Sequence, residues 1–239
     1  MAGDIAHTPP LLLALETSGV SGSVALITPA GCLAEQAIAA NQTHARHLLP
    51  AIDQLLREAK IDWPQIDAIA ISLGPGSFTG LRIGLSTAKG LAMATGKPLI
   101  GVPSLDALAS QGKGQGLPVC ALIDARKKEV YAALYRENAA GEMKRQSDYL
   151  ALAPAALAAR LTEPTLLLGS GAELYHDLLT DQLGSLAHFA DPTRFHARAS
   201  AVGQLAIPLF HQQIFLAPTA GPLYVRASDA ELQLGTPHK

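Results

Sequence analysis

Three groups of residues in this 239-residue chain combine types and spacing that could support chemistry. Glu16-Thr17-Ser18 sets a carboxylate beside two hydroxyls, the composition with which loops hold a magnesium–phosphate group. A structural role fits those residues equally, with Glu16 capping a nearby backbone or lining a lobe junction. Asp124 with Arg126 reads in two ways as well, as a matching loop of a second half or as an acid–base surface pair. The third group, Gly74 to Gly80 (GPGSFTG), leads a strand into a helix whose first N–H groups favour an anion. Its plainer reading is a tight turn ahead of a packing helix. No G-x-x-x-x-G-K-[ST] occurs, and Arg82 falls inside the helix, so this is not a phosphate-binding P-loop. His44 and His47 lie three apart on a helical stretch, but no third donor and no H-E-x-x-H accompanies them. His176, His188, His196 and His211 are scattered, and no G-x-S-x-G elbow is present. Without a general base or a lysine aimed at phosphate, no phosphotransfer site assembles. The residues nominate no catalytic group, no metal ligand and no cofactor.

The elements that must position these groups follow from periodicity. Residues 11–15 form an apolar strand running into Glu16, and residues 23–27 return as a second strand, a hairpin with a hydroxyl- and glycine-rich turn. Residues 32–38 make a third strand, and residues 43–60 an amphipathic helix through Leu48, Leu49, Ile52, Leu55, Leu56 and Ala59. A buried strand from Ile66 to Leu73 precedes the Gly-Pro-Gly turn, and Ser77 stands at the N-cap of the next helix. Residues 97–102 read as a short strand and 103–110 as a short helix.

That long helix carries two lines of residues. Phe78, Leu81, Leu85 and Ala88 follow an apolar face, while Gly80, Gly84, Ala88 and Ala92 form a small-residue ridge. Glycine in a helix interior costs about 1 kcal/mol relative to alanine, so two of them four apart imply a close backbone approach. With Phe78, Leu81 and Leu85 suited to the chain's own sheet, the ridge is expected to receive a partner's helix. Bulky residues at Gly84 or Ala88 are then expected to abolish partner binding and leave the monomer folded.

Residues 111–116 (QGKGQG) form a connector, the expected boundary between a first lobe at 11–110 and a second at 117–226. The second part repeats the order of the first: an apolar run into Asp124, a polar turn, a returning strand, and later a strand at 165–168 entering Gly169-Ser170-Gly171 and a helix. A further strand over 143–150, a helix over 154–161 and a last helix over 197–210 complete the second lobe. Residues 1–10 read as a loose extension and 227–239 as a polar tail. Alternating strands and helices in two similar halves predict a layered α/β protein with ligand loops at strand ends.

Composition bounds the function. Charged residues make up only 16% and the formal net charge is −2, which leaves no field of cations to displace phosphate counterions. Any RNA contact is therefore expected to be local or made through a partner. Two cysteines, Cys32 and Cys120, form no C-x-x-C pair and suit a reducing cytosol. The first ten residues lack signal-peptide character, and 11–15 is too short to span a bilayer, so a cytoplasmic protein without membrane association is expected.

The run from Gly74 to Gly84 (GPGSFTGLRIG) resembles the hallmark of the bacterial TsaB (YeaZ) family. Leu13 to Ser18, His44 to Pro50, Ile123-Asp124-Ala125-Arg126 with Glu129-Val130-Tyr131, and Pro222 to Arg226 resemble other segments of that family. The resemblance implies an actin-like ATPase (ASKHA) fold of two RNase H-like lobes. It also implies a part in making N6-threonylcarbamoyladenosine at position 37 of tRNAs that read codons beginning with A. TsaB is related to the transferase TsaD, whose H-x-x-x-H metal motif has no counterpart in the corresponding Gly101 to Leu108, so the chain resembles a catalytically silent paralogue. Family behaviour further implies dimerisation with a TsaD-type subunit through first-lobe helices, with a TsaE-type ATPase at the junction. The residues themselves point to a homodimer or a heterodimer through these helices and leave open whether the isolated chain pairs with itself, and the low charge points to indirect contact with tRNA. The partner-facing set is then His44, His47, Leu48, Ser77, Phe78, Gly80, Leu81, Gly84 and Ala88. Glu16, Thr17, Ser18, Asp124 and Arg126 are the residues that could face a nucleotide. The competing functional reading is an ATP-dependent phosphotransferase or ATPase of the same fold with Glu16 and Asp124 on magnesium. A metallopeptidase finds no support in the residues.

Overall fold

A computed structural model describes residues 9–39, 44–191 and 196–226. The tail at 227–239, and most of the extension at 1–10, lie outside the described residues. In chain order the elements are β1 (Leu12–Glu16), β2 (Gly22–Thr28), β3 (Gly31–Ile38), α1 (His44–Ala59), β4 (Ala68–Gly74), α2 (Phe78–Thr95), β5 (Leu99–Pro103) and α3 (Ser104–Ser110). There follow β6 (Val119–Asp124), β7 (Val130–Glu137), β8 (Met143–Arg145), β9 (Leu150–Leu152), α4 (Pro154–Ala158), β10 (Thr165–Leu168), α5 (Ser170–Leu174), α6 (His176–Leu183), β11 (Ala187–Phe189) and α7 (Ala199–His211).

The strands form two sheets, ordered β3-β2-β1-β4-β5 and β11-β10-β6-β7-β8. Reversing the second order matches the first strand for strand. In each, a hairpin pair is antiparallel (β1 with β2, β6 with β7), and the strand after it in space is parallel (β4 on β1, β10 on β6). A second parallel strand closes each sheet (β5 on β4, β11 on β10). The expected α/β architecture of two similar lobes is thus observed.

Period-two alternation explains the first sheet's two faces. Leu13, Leu15, Val24, Leu26, Ile69 and Ile71 point to one side, against α1 and α2. Leu12, Ala14, Ala25, Ile27, Ala68 and Ala70 point to the other, where Ala199, Val202 and Ala206 of α7 pack on them. The alanines let α7 approach closely. A Cβ on Gly203 of α7 would overlap Ile27 and lie 3.0 Å from Ala14 Cβ.

This corrects the expected lobe boundary. The last helix belongs to the first lobe, covering the far face of its sheet, although it follows the second lobe in sequence. Its N-terminus is held there by charge. Ser200 N and Oγ donate to Glu35 Oε1 and Oε2 (3.1 and 2.8 Å), and Ala199 N donates to Ser23 Oγ (2.8 Å), itself bonded to Glu35 Oε1 at 3.1 Å. A carboxylate capping a helix start satisfies orphan N–H groups and complements the helix dipole. Glu35→Ala is expected to cost about 1–2 kcal/mol, the range of a lost cap. Urea unfolding with an unchanged midpoint would contradict that assignment.

Three smaller differences from the sequence reading have local causes. The strand expected over 143–150 is two short strands, β8 and β9, both paired to β7 at different registers. The helix expected after Gly171 breaks at Tyr175 (φ −109°, ψ 23°) into α5 and α6. β11 is three residues long, too short for periodicity to reveal.

Candidate functional site

The loops nominated in sequence meet at the cleft between the lobes. Its walls include Ser18, Gly19 and Val20 from the β1–β2 turn, Gly76 to Gly80 at the start of α2, and Arg46 of α1. The second lobe contributes Ile123 to Arg126, Tyr131, Ser170 and Glu173, and Arg226 comes from the C-terminal segment. The cleft has a volume of about 1210 Å³.

Ser77 caps α2 as expected, its hydroxyl accepting from Gly80 N at 3.2 Å. Gly96, at φ 69°, terminates the helix in the left-handed region. Ser77 N donates to Ser18 O at 2.7 Å, joining the α2 start to the β1–β2 turn. The small-residue ridge does not face outward. Gly80, Gly84 and Ala88 are buried, and a Cβ on Gly80 would overlap the Thr17 carbonyl oxygen. One on Gly84 would overlap Thr17 Oγ1 and lie 3.2 Å from Ile71. The glycines therefore admit the chain's own β1–β2 turn, and the expectation that they receive a partner's helix is corrected. Leu81 and Leu48 are buried as well, so the partner-facing set loses Leu48, Gly80, Leu81, Gly84 and Ala88 as direct contacts. Ser77 and Phe78 are exposed and His47 is half-buried; His44 opens α1, its side chain outside those described.

The acidic loop is also more enclosed than its composition suggested. Glu16, Thr17 and Ser18 are buried, and Glu16 Oε1 accepts from Ser18 N. Of these three residues only Ser18 lines the cleft. Glu16 is thus placed as a local backbone cap, under the turn that α2 covers. Asp124 and Arg126 do stand at the cleft, paired to each other at 3.3 Å, with Arg126 N donating to Asp124 Oδ1 at 2.9 Å. Asp124 N in turn donates to Ser170 Oγ at 3.2 Å. Three successive residues, Arg126, Lys127 and Lys128, hold left-handed backbones (φ 61°, 53° and 62°) and carry their side chains outward.

α3 lies in the segment that lacks histidine. Ser104 is buried and its hydroxyl accepts from Gly74 N at 3.0 Å; Leu108 is buried in the second core. Asp106, between them, accepts from Tyr135 Oη at 2.7 Å and Tyr149 Oη at 2.9 Å. Burial, reinforced by the Asp106 charge, pushes the Tyr135 phenol well above its ordinary range. Among the described residues, no three His, Cys, Asp or Glu side chains gather as a metal-holding group. No helix among them is long and apolar enough to cross a membrane.

The C-terminal segment, legible in sequence only as a Pro-rich return from Ala217 and a family motif at Pro222 to Arg226, had no place in the fold until the structure gave it one. Residues 212–226 run back along the first lobe, with Leu216 N on Leu99 O (2.7 Å) and Leu223 N on Leu73 O (2.8 Å). Lys89 Nζ donates to the Pro218 and Ala220 carbonyls (2.7 and 2.6 Å). Tyr224 stacks on Phe78 at 5.4 Å and accepts from Arg82 Nε at 3.1 Å, while the Arg82 guanidinium lies 3.8 Å over the Phe78 ring.

Comparison with known proteins agrees with this arrangement. Residues 36–161 match the family described as TsaD, tRNA N6-adenosine threonylcarbamoyltransferase. The tRNA threonylcarbamoyladenosine biosynthesis protein TsaB of Escherichia coli is 32% identical over 172 residues, 70% of this chain and 74% of that protein. The chain belongs to the TsaB (YeaZ) family. TsaB of Bacillus subtilis is 29% identical over 196 residues, covering 81% of this chain and 86% of its own length. The structure of YeaZ from Pseudomonas aeruginosa superimposes with a TM-score of 0.76 at 31% identity, over 90% of this chain and all of that one. A more distant likeness, to (R)-2-hydroxyglutaryl-CoA dehydratase component A of Acidaminococcus fermentans (TM-score 0.50, 10% identity), concerns the fold alone. The actin-like ATPase fold expected from the resemblance is therefore shown. Within this TsaB-family fold, the GPGSFTGLRIG run is the turn and helix start that lock onto the β1–β2 hairpin, and the closing motif Pro222 to Arg226 is the strap across its outer side.

Proposed function

We propose that this chain is a non-catalytic subunit in the formation of N6-threonylcarbamoyladenosine at position 37 of tRNAs reading ANN codons. It works by binding and activating a TsaD-type transferase through the outer side of its first-lobe helices. The observation that carries the reading is the solvent face of α2. Ser86, Gly90, Met93 and Ala94 are exposed there, Met93 at 87%, and the only charges on the whole helix are Arg82 and Lys89. A Cβ at Gly90 would meet nothing within 4 Å. Ser86, Gly90 and Ala94 thus repeat, on the outer side, the small spacing that Gly80, Gly84 and Ala88 present inward, and such a line admits a second helix at close range. α1, packed beside α2, adds Leu49, 52% exposed.

Ser77 and Phe78, exposed beside the cleft at the α2 start, belong to the partner-facing set as well, and a TsaE-type ATPase is assigned to that junction. In the isolated chain the same face would pair two copies. With a net charge of −2, the chain reaches tRNA through its partner. ATP turnover by the chain itself would need the Glu16 carboxylate at the cleft, and its burial under the α2 turn speaks against that role. The test is reconstitution of tRNA modification from purified components. Loss of modification on omitting this chain supports the proposal, and full modification without it refutes it.

A further inference from the structure

The lobes are joined by the apolar packing of α3 on the second sheet and by polar contacts, one of them made by the last described residue. Arg226 Nη1 donates to Glu129 Oε2 at 2.6 Å, and Nη2 donates to Ala125 O at 3.1 Å. The strap that carries Arg226 is pinned to the first lobe by Leu223 N on Leu73 O and by Tyr224 against Phe78 and Arg82. Both acceptors belong to the second lobe's β6–β7 turn. That turn holds three successive non-glycine residues in the left-handed region, a conformation that persists only where its surroundings impose it. Asp124 under the Arg126 amide, the Glu129 N to Arg126 O bond at 3.0 Å, and Arg226 on the Ala125 carbonyl impose it.

Away from the cleft lining, Asp106 of the first lobe's α3 accepts from Tyr135 and Tyr149 of the second lobe. Arg145 covers Tyr149 at 4.0 Å. Of these contacts, Arg226 is the one that stands at the cleft itself. The Arg226–Glu129 pair is half-buried, its side chains 27% and 35% exposed, where a charge-assisted bond is less screened than at the surface.

We propose that Arg226 is an interlobe clasp, and that the chain works with its cleft held at one width, not by opening and closing around a ligand. Arg226 is a positioning residue: it fixes the β6–β7 turn, and with it Asp124 and Arg126, against the first lobe. The inference stands apart from the partner assignment, since it concerns the free chain.

The test measures the distance between lobes in the full chain by pulsed electron spin resonance. Cys32, the exposed cysteine, is replaced by serine, and spin labels are placed at Gln54→Cys on α1 and Arg160→Cys in the second lobe, with both positions exposed. Dilution with unlabelled chain removes distances between copies. The expected result is one narrow distribution that magnesium–ATP does not shift. Arg226→Ala and Glu129→Ala should each broaden it, and the double variant should be no broader than Arg226→Ala alone, because Glu129 acts through Arg226. Circular dichroism of each variant checks that helix content is kept, and Glu129→Ala serves if Arg226→Ala fails to fold. A distribution left narrow by both variants, or a wild-type distance moved by magnesium–ATP, overturns the proposal.

Discussion

Alanine at Gly80 is expected to lower the unfolding free energy by about 2 kcal/mol or more, even though alanine is the better helix former. Its Cβ would overlap the Thr17 carbonyl oxygen, which is backbone and already fixed in the turn after β1. Propensity would return about 1 kcal/mol, so the overlap decides the sign. For a chain of this size that loss is a fall of roughly 4–8 °C in Tm. Leucine at Gly84 should be worse, since Thr17 Oγ1 and Ile71 fill the place its side chain needs. Gly90 in the same helix supplies the control: alanine there meets nothing and should leave Tm unchanged or slightly raised. Thermal unfolding of the three variants checks the set. Equal midpoints for Gly80→Ala and wild type would show that α2 does not rest on the β1–β2 turn. The expectation that bulk at Gly84 spares the folded monomer is replaced by this one.

Gly90→Trp and Met93→Asp are expected to have the opposite profile. Both positions are exposed, so the folded chain should unfold close to the wild-type temperature, within the roughly 0.5 kcal/mol typical of surface changes. Yet an indole on Gly90 would hold a partner helix away, and a carboxylate at Met93 would be desolvated in an apolar contact. Losing a central contact of this kind typically costs about 2 kcal/mol or more of binding, some thirtyfold in Kd. Titration calorimetry with the TsaD-type transferase reads this directly. Unchanged affinity in both variants would move the partner surface off the outer face of α2.

Much of the fold was legible because its signals are local. Apolar runs at residues 11–15 and 66–73 mark buried strands, and the Gly-Pro-Gly-Ser turn marks a strand stop and a helix cap. The duplication was legible from repeated order, and the reversed strand orders bear it out. Which sheet α7 covers was not legible, because an apolar helix face carries no label for the face it meets. The cue lay elsewhere, in Ala14, Ala25, Ala68 and Ala70, small residues alternating with leucine and isoleucine on one side of the first sheet. The direction of the ridge was not legible for a related reason. Glycine has no side chain to indicate inward or outward, and α2 carries two small lines offset by two residues. Arg226 was visible only as part of a motif, since its partners lie 97 and 101 residues away.

The most direct measurement is formation of threonylcarbamoyladenosine on tRNA by a purified TsaD-type transferase and the proteins that supply it, with this chain present, absent or carrying Met93→Asp. Modification is expected with the wild-type chain, and its loss both without the chain and with Met93→Asp. Undiminished modification in the chain's absence would contradict it.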